Sequence, residues 1–343
     1  MGVMRHRHAR FALRVFGSLF AFAGAAGAAE LNLLCSLPSA WCDDLAAAFT
    51  RETGTQVSVT QKAAADALTH LAAQKVPRYD IWYAGAGDLH MQAAEQGLSD
   101  AYESPRLPQL REWSRAYAEQ SKFRSVALYQ RAVGLVVNTK RLADRKLPVP
   151  KCWEDVALPQ YDDQLQMGHP DQAASSRATI VALTQLFGEP RAMAILKRIH
   201  VNVAAYARRA TNAARAVARG DVPMAVAFLY DGANEVAAGF PVQLVAPCEG
   251  MAFDVVAMSL MRDAPSAADA RRFYDWALGP ASLEIQYRHA YWQMPAHHDA
   301  KLPASVWNTD GAKLLPNDYA RMPLAERRRL LSVWDREVGV LPR

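Results

Sequence analysis

The sequence lacks the short motifs of several large enzyme classes. It contains no G-x-S-x-G, H-E-x-x-H or Walker sequence, which mark serine hydrolases, zinc proteases and P-loop nucleotide-binding proteins. A secreted enzyme would need a nucleophile and a base in one cleft, and the sequence places no such pair. None of these enzyme classes is therefore indicated, and we expect no cofactor.

A long apolar run, as a membrane-spanning helix of roughly 20 residues requires, is also missing. The run at 15–29 is shorter and rich in Gly and Ala. It follows four arginines at 5–14 and ends in small residues. That arrangement is typical of a cleaved secretory signal. We predict a signal peptide at 1–29 and a periplasmic mature chain.

Little net charge remains once this segment is set aside. The formal charge is +5, and the segment holds four Arg and no acidic residue, so the rest of the chain is near +1. The basic surface that would bind nucleic acid is therefore missing. Of the 343 residues, the 314 that follow the segment suffice for two domains with their own cores.

Cysteine is scarce, with four in the whole chain. In an exported protein, four cysteines favour two disulfides, for which three connectivities exist. A bridge between Cys35 and Cys42 would be local, and one between Cys152 and Cys248 would then join two loops far apart in sequence. A zinc site is the rival, but no C-x-x-C pair and no nearby His spacing supports it.

Short apolar runs alternate with amphipathic segments after residue 30. The stretches LNLLC, QVSVT and YDIWYAG have strand character, and helices are expected at 38–53, over ADALTHLAAQK and over HMQAAEQGL. Strands separated by helices predict βαβ units and a parallel sheet, with a ligand crevice at the strand ends. Further helices are predicted at 175–187, 189–200, 266–278, 281–287 and 323–337, the last with ERRR as a charged outer face.

Two long apolar stretches are candidates for crossings between lobes. They are SVALYQRAVGLVVNT and QLVAPCEGMAFDVVAMSLM. With them, the pattern predicts an α/β fold of two lobes joined by two hinge crossings. Lobe 1 comprises 30–128 and is completed by about 253–290, lobe 2 comprises 129–252, and the C-terminal helices of 291–343 pack on the lobes.

Several stretches, in this order, resemble the periplasmic solute-binding proteins of ABC importers. They include LCSLPSAWCDDLAAAFTRETGTQV, YDIWYAGAGDLHMQAAEQGL, GLVVNTKRLADRKLPVPKCWEDVALPQY, NVAAYARR, AARAVARGDVPMAVAFLYDGA and GFPVQLVAPCEGMAFDV. The resemblance is to the ferric-iron-binding-like branch, which also contains receptors for sugar phosphates and phosphonates. It implies a type II periplasmic binding fold, no catalysis, and a monomeric receptor that delivers its solute to an inner-membrane permease and its ATPase.

Two turns after predicted strands carry candidate ligand-binding residues. Ser36 stands just before a helix N-terminus, where a hydroxyl and free backbone N–H groups bind anions, and the resemblance places it in the cleft. The alternative is that Ser36 only caps the helix. In GAGD, Gly85 and Gly87 would let the backbone approach a ligand beside Asp88, or form a tight turn with Asp88 as N-cap.

The stretch FLYD ends a predicted buried strand with Tyr230 and Asp231. Ferric-binding relatives carry adjacent tyrosines here, together with a His and a Glu, whereas this chain has one tyrosine and Ser39 in the His position. Ferric iron is therefore disfavoured as a direct ligand. Sugar-phosphate receptors carry His-Asp, whose Asp contacts sugar hydroxyls, and Asp231 matches that role. The alternative for Tyr230 is a half-buried aromatic ring whose hydroxyl is bonded locally.

Glu249 and Asp254 follow the second crossing. In similar receptors, acidic residues at these places contact hydroxyl or amino groups of the ligand. Both residues can equally be loop and hinge hydrogen-bond acceptors, so the two readings stay open.

The chain departs from the branch at several small hydroxyl residues. A Ser-Gly-Thr triplet that opens a helix is reduced to Ser175, Lys62 alone is kept from an Arg-Lys pair, and a Ser-Gly pair after Tyr206 is replaced. Arg208 and Arg209 supply charge instead, and their forked guanidinium groups suit phosphate and carboxylate. Solvated surface is the alternative for both arginines.

These residues predict a receptor that closes over a small anionic, oxygen-rich solute, namely a sugar phosphate, phosphonate or carboxylate. A ferric-iron-binding protein and a ligand sensor for a two-component system are the alternatives. We expect no metal site, since His297 and His298 lie in a polar loop and are expected to be exposed.

Overall fold

The computed structural model describes residues 1–2, 30–207, 210–319 and 321–342. Residues 3–29 of the predicted signal peptide and the candidates Arg208 and Arg209 lie outside the described residues. Within the described ranges, no helix combines the length and the apolar character needed to cross a membrane.

Strands and helices alternate along the chain, as the sequence predicts. The strands are β1 (Glu30–Cys35), β2 (Gln56–Gln61), β3 (Ile81–Ala86), β4 (Val126–Asn138), β5 (Leu165–Gly168), β6 (Val203–Ala207), β7 (Met224–Phe228), β8 (Val242–Val245), β9 (Ala252–Leu260) and β10 (Met294–Pro295). The helices are α1 (Ser39–Thr53), α2 (Ala64–Ala73), α3 (Gly87–Glu95), α4 (Glu112–Gln120), α5 (Thr139–Asp144), α6 (Trp153–Val156), α7 (Ala174–Phe187), α8 (Glu189–Val201), α9 (Ala210–Arg219), α10 (Leu229–Ala237), α11 (Ala267–Ala277), α12 (Pro280–Leu283) and α13 (Leu324–Glu337).

Local sequence explains where α1 lies and where it ends. Trp41, Leu45 and Phe49 recur every four residues and are fully buried, which gives the helix one apolar face. Gly54 ends the helix with φ 78°, a left-handed conformation that glycine adopts without a steric penalty. The predicted bounds of 38–53 are therefore correct to within one residue.

Two predicted elements are wrong in detail. The helix expected at 281–287 is the short α12 followed by a 3₁₀ segment, Glu284–His289. Tyr230 and Asp231 do not end a strand, because β7 stops at Phe228 and both residues lie in the first turn of α10.

One sheet runs through the molecule in the order β2-β1-β3-β9-β4-β7-β5-β6, with β8 and β10 also paired to β4. The groups β2-β1-β3 and β7-β5-β6 are each parallel. The long strands β4 and β9 are antiparallel to each other and join the two groups. They coincide with the two apolar stretches that were predicted to cross between lobes.

Two large apolar cores lie on either side of this junction. The first core contains buried side chains of β1, β3, α1 and α11, among them Trp41 and Phe273. The second core contains side chains of β5, β7, α6, α7 and α8, among them Trp153 and Phe228. Helix α13 adds Trp334 to the second core.

The C-terminal region corrects two expectations about exposure. Arg327 belongs to the ERRR cluster that was predicted to face solvent, but it is only 5% exposed because α13 contacts both α7 and α3. His297 is also buried, and its Nε2 lies 3.2 Å from Oε1 of Gln109, whereas His298 is exposed as expected.

Candidate functional site

The carboxyl ends of the two parallel groups face each other across the middle of β4 and β9. At the first group, Ala86 at the end of β3 pairs with Val256, and at the second, Phe228 at the end of β7 pairs with Val133. Arg131 and Asp254 are paired with each other between these points. Strand ends of parallel sheets are where α/β proteins bind ligands, so this gap is the candidate site.

Arg131 and Asp254 form an ion pair at the floor of the gap, with side chains only 16% and 10% exposed. The guanidinium carbon of Arg131 also lies 4.6 Å from the centre of the Phe228 ring. Burial acts to lower the pKa of Arg131, but the charges of Asp254, Tyr230 and Asp231 outweigh it, so the pKa is raised. Arg131 is therefore a permanent cation, and its Nε has no hydrogen-bond partner among the described residues.

Asp231 lies beside Arg131 in the first turn of α10 and is 3% exposed. Its Oδ1 accepts a hydrogen bond of 3.1 Å from Oγ1 of Thr211, while its Oδ2 has no partner within the described part of the chain. Burial raises the pKa of Asp231 from 3.8 to about 7, against the opposing effects of Thr211 and Arg131. At neutral pH this carboxyl group can therefore either accept or donate a hydrogen bond.

Aromatic rings connect α10 with α1 along one side of the gap. The Tyr230 ring stacks on Phe228 at 5.6 Å and lies 6.0 Å from Tyr291. Tyr291 in turn lies 4.9 Å from Trp41 of the first core. Burial raises the pKa of Tyr230, with Asp231 adding to the effect, so its phenol stays protonated at neutral pH.

Ser36, Lys62 and Gly85 lie close together at the carboxyl ends of β1, β2 and β3. The backbone N–H of Lys62 donates to Cys35 O at 3.1 Å, and that of Ser36 donates to Tyr83 O at 2.9 Å. Ser36 Oγ accepts a 2.9 Å hydrogen bond from Trp82 Nε1. The alternative that Ser36 caps α1 is wrong, because Pro38 occupies the N-cap position.

Asp88 and Gly87 have structural partners of their own. Tyr319 donates its hydroxyl hydrogen to Asp88, and Arg327 Nη1 lies 3.3 Å from the same carboxylate. Asp88 is not the N-cap of α3, since that position is Ala86. A Cβ on Gly87 would lie 2.6 Å from Val255 Cγ2, so this glycine permits close packing of α3 on β9.

The N-terminus of α7 also reaches the junction. Ser175 is fully buried, and its Oγ has no hydrogen-bond partner among the described residues. Arg177, one turn into the helix, lines a small cavity together with Asp88, Asp254 and Arg327. Helix N-termini favour anions because their backbone N–H groups are unpaired and the helix dipole is positive there.

Two further candidates have structural partners of their own. Glu249 accepts hydrogen bonds from the backbone N–H groups of Trp153 at 2.8 Å and Glu154 at 3.2 Å, so it caps α6 and is a loop acceptor. The hydroxyl of Tyr206 lies 2.8 Å from Nδ1 of His200, and its ring packs against Trp334 at 5.8 Å.

The cysteines form the bridges Cys35–Cys42 and Cys152–Cys248. The first fixes the turn that carries Ser36 to the first turns of α1. The second joins the loop before α6 to the loop before β9. Among the described residues, the group that satisfies the spacing of a metal site is Cys152, Cys248 and Glu249, but its two sulfur atoms are bonded to each other.

Sequence reasoning missed Arg131, Thr211 and Arg177. A signal existed for Arg131, because it is a lone charge within the otherwise apolar run LYQRAVGLVV. A buried charge needs a partner, and only the strand register shows that the partner is Asp254. Arg177 stands on α7, which is buried over most of its surface, and Thr211 is a single hydroxyl residue in the first turn of α9 that no sequence motif marks.

The comparisons with known proteins agree with this geometry. The model of the family "Bacterial extracellular solute-binding protein" matches residues 77–322. An uncharacterized protein of Haemophilus influenzae is 30% identical over 323 residues, which cover 93% of this chain and 93% of that protein.

Two solved structures are similar over almost their whole length. The periplasmic binding protein AfuA from Actinobacillus pleuropneumoniae, with exogenous fructose-6-phosphate bound, has a TM-score of 0.80 and 28% identity, covering 91% of this chain and 99% of AfuA. Iron-bound HitA from Pseudomonas aeruginosa has a TM-score of 0.76 and 17% identity, covering 91% of this chain and 100% of HitA. At that identity, the likeness to HitA concerns the fold alone.

Proposed function

Because the chain belongs to the bacterial extracellular solute-binding proteins and has the type II periplasmic binding fold, we propose that it is the periplasmic receptor of an ABC importer. Its solute is a small anion rich in hydroxyl groups, and a sugar phosphate fits the site best. The lobes of the receptor are the halves around the first and second cores, and they close over the solute. The closed receptor then delivers the solute to a membrane permease and its ATPase.

One observation carries the choice of solute: polar groups at the gap are buried without hydrogen-bond partners in the described part of the chain. They are Oγ of Ser175, Nε of Arg131 and Oδ2 of Asp231. Buried polar atoms in folded proteins nearly always have a hydrogen-bond partner, so several orphans around one gap point to a missing ligand. Two are donors and one is a carboxyl oxygen, which supports a solute with both an anionic end and hydroxyl groups.

The anionic end belongs at the N-terminus of α7. There the Ser175 hydroxyl, the helix dipole and the nearby Arg131 offer donors to a phosphate or carboxylate. Arg131 keeps its charge at every physiological pH, because the acidic groups around it raise its pKa. Arg208 and Arg209 follow β6 in the sequence and remain candidates for further positive charge.

The hydroxyl end belongs at Asp231. Its unpartnered Oδ2 is a strong acceptor for sugar hydroxyl groups, and its position one residue after Tyr230 places an aromatic ring beside it. Sugars and aromatic rings pack well against each other because both present flat apolar faces. AfuA, which is 28% identical to this chain, was solved with fructose-6-phosphate, and that solute has both ends.

Ferric iron is the rival that the fold allows, and the chemistry of the gap does not favour it. Ferric ions prefer deprotonated oxygen ligands, but burial raises the pKa of Tyr230, and the residue directly after it is Asp231 rather than a second tyrosine. A sensor role would use the same solute site, and we assign the chain to import because no feature of the gap argues for signalling. We assign no catalytic step to the site.

This proposal is tested by measuring how purified residues 30–343 bind solutes, with isothermal titration calorimetry and thermal-shift assays. Fructose 6-phosphate is the probe, and fructose, inorganic phosphate, citrate and ferric citrate are the comparison solutes. A probe at 100 times its Kd is expected to stabilise the fold by about 2.7 kcal/mol. Fructose lacks the anionic end and is expected to bind far more weakly. A response to ferric ion with none to the phosphorylated or carboxylated solutes would refute the assignment.

A further inference from the structure

A hydrogen bond joins α10 to the segment that follows the 3₁₀ element. Nε1 of Trp292 donates to Oδ1 of Asn234 at 2.5 Å, although the two residues are 58 positions apart in sequence. Trp292 follows the 3₁₀ segment of the first core, and Asn234 stands on α10, which packs on β4, β7 and β8. We propose that Trp292 is a positioning residue, which latches α10 and its ligand-binding first turn to the first core when the gap is closed.

The segment that carries Trp292 is held rigidly. The side chain of Gln286 is fully buried and bonds both backbone groups of Gln293, its Nε2 to the carbonyl at 3.0 Å and its Oε1 to the N–H at 3.2 Å. The Trp292 ring stacks on Tyr287 at 5.8 Å with an angle of 15°. An indole donor fixed in this way loses little entropy when it forms a bond, so the bond contributes more to closure.

Helix α10 is held as firmly on the other side. A Cβ at Gly232 would lie 2.5 Å from Leu244 Cδ2 and 2.8 Å from Val136 Cγ2, so glycine here lets α10 pack directly on β8 and β4. Asn234 is four residues after Tyr230 and three after Asp231, which places all three on neighbouring turns of one helix face. The Trp292 bond therefore acts on the same rigid helix that presents Asp231 to the solute.

The physical role follows from this connection. A bond that forms only when the gap is closed shifts the population towards the closed form and slows ligand release, while it leaves encounter with the open form unchanged. Trp292→Phe removes the N–H donor and keeps a smaller aromatic ring at this position, and it changes none of the groups that we assign to the solute. The inference rests on the proposed function insofar as closure accompanies solute binding.

A double-mutant cycle tests the latch in the full mature chain. Trp292→Phe, Asn234→Ala and the double variant are titrated with fructose 6-phosphate, with Trp276→Phe as the matched control. Trp276 Nε1 donates to Glu52 at 2.8 Å on the exposed surface of the first core, so the control also loses an indole hydrogen bond, but away from the gap. Each single variant is expected to raise the Kd roughly 3- to 10-fold through faster dissociation. The double variant is expected to raise the Kd no more than a single variant does, and the control is expected to have the Kd of wild type.

The outcomes separate this inference from the proposed function. Suppose that wild type binds the probe. The latch is then refuted, and the proposed function retained, if the two single effects on Kd multiply in the double variant. The same holds if neither single variant weakens binding. If wild type binds none of the solutes, the proposed function fails, and small-angle X-ray scattering of the ligand-free variants decides the latch. A larger radius of gyration in Trp292→Phe and Asn234→Ala than in Trp276→Phe supports it, and equal radii refute it.

Discussion

Ser175 and Ser176 are adjacent, fully buried side chains with opposite hydrogen-bonding states. Ser176 Oγ donates to the carbonyl of Gly168 at 2.7 Å, whereas Ser175 Oγ has no partner among the described residues. The two hydroxyls lie in the same helix turn and are equally buried. They therefore differ mainly in whether the hydroxyl has a hydrogen-bond partner. The Ser176 hydroxyl stabilises the fold, and we propose that the Ser175 hydroxyl binds the solute.

This contrast predicts opposite effects of two alanine substitutions. Ser175→Ala removes no bond of the free protein, so we expect little change in the free energy of unfolding and at least a roughly tenfold loss of affinity for fructose 6-phosphate. Ser176→Ala leaves the Gly168 carbonyl unpaired, so we expect about 1–3 kcal/mol of lost stability. Urea denaturation and calorimetry measure the two quantities. Equal affinity of Ser175→Ala and wild type would place the anion elsewhere.

The loss of the Arg131–Asp254 ion pair is expected to lower the free energy of unfolding more than the loss of a surface ion pair. Asp254→Asn leaves Arg131 as a buried charge without its partner, and breaking buried pairs typically costs about 3–5 kcal/mol. The control is Asp221→Asn, which breaks a pair with Arg219 whose side chains are 53% and 58% exposed. Exposed pairs contribute about 0–1 kcal/mol. Urea midpoints for both variants test this ordering, and similar losses would contradict it.

The raised pKa of Asp231 predicts how the stability of the fold depends on pH. Burial raises its pKa from 3.8 to about 7, so between these values the folded chain binds more protons than the unfolded chain, and its stability falls as pH rises. The loss is complete above pH 7 and amounts to at most about 4 kcal/mol, at 1.36 kcal/mol per pKa unit. Asp231→Asn removes this dependence.

We therefore expect the stability of Asp231→Asn relative to wild type to increase steadily from pH 4 to pH 7.5. Urea denaturation at intervals over this range measures the trend, with the exposed Asp221→Asn as control. A constant difference between Asp231→Asn and wild type would show that the carboxyl is ionised throughout. Asp231→Asn is also expected to weaken solute binding, since an amide is a poorer acceptor than a carboxylate.

The two disulfides are expected to contribute unequally to stability. Cys35–Cys42 closes a loop with a sequence separation of 7, and Cys152–Cys248 one with a separation of 96. In the chain-entropy model, the longer loop stabilises by about 4.7 kcal/mol and the shorter by roughly half as much. Serine pairs at each bridge, compared by urea denaturation under non-reducing conditions, measure the difference. The reverse ordering would mean that native-state effects outweigh loop entropy.

Local patterns predicted the strands and helices closely. The bounds of α1, α7, α8, α11 and α13 follow from apolar spacing and from residues such as Gly54 that end helices. The same patterns did not locate Arg327, because the spacing of charges on α13 is that of an exposed face. It is buried only because α13 lies against both α3 and α7.

The site was predictable in part. Ser175, Asp231 and Asp254 were candidates through resemblance, and the structure brings Asp231 and Asp254 to Arg131 and puts Ser175 at the nearby end of α7. Glu249 was a candidate on the same grounds, yet it caps α6. Resemblance locates a residue along the chain, but the direction in which its side chain points depends on the neighbouring elements.

The sequence by itself determined an α/β chain with alternating strands and helices and two long apolar strands, because periodicity and turn residues are local properties. Its motifs also indicated the solute-binding family. Only the tertiary structure decided that Arg131 pairs with Asp254 and that Trp292 meets Asn234. It also decided that Ser175 Oγ and Asp231 Oδ2 have no hydrogen-bond partner among the described residues. Those relationships join residues distant in sequence, and they depend on strand register and packing, which no single segment of the chain encodes.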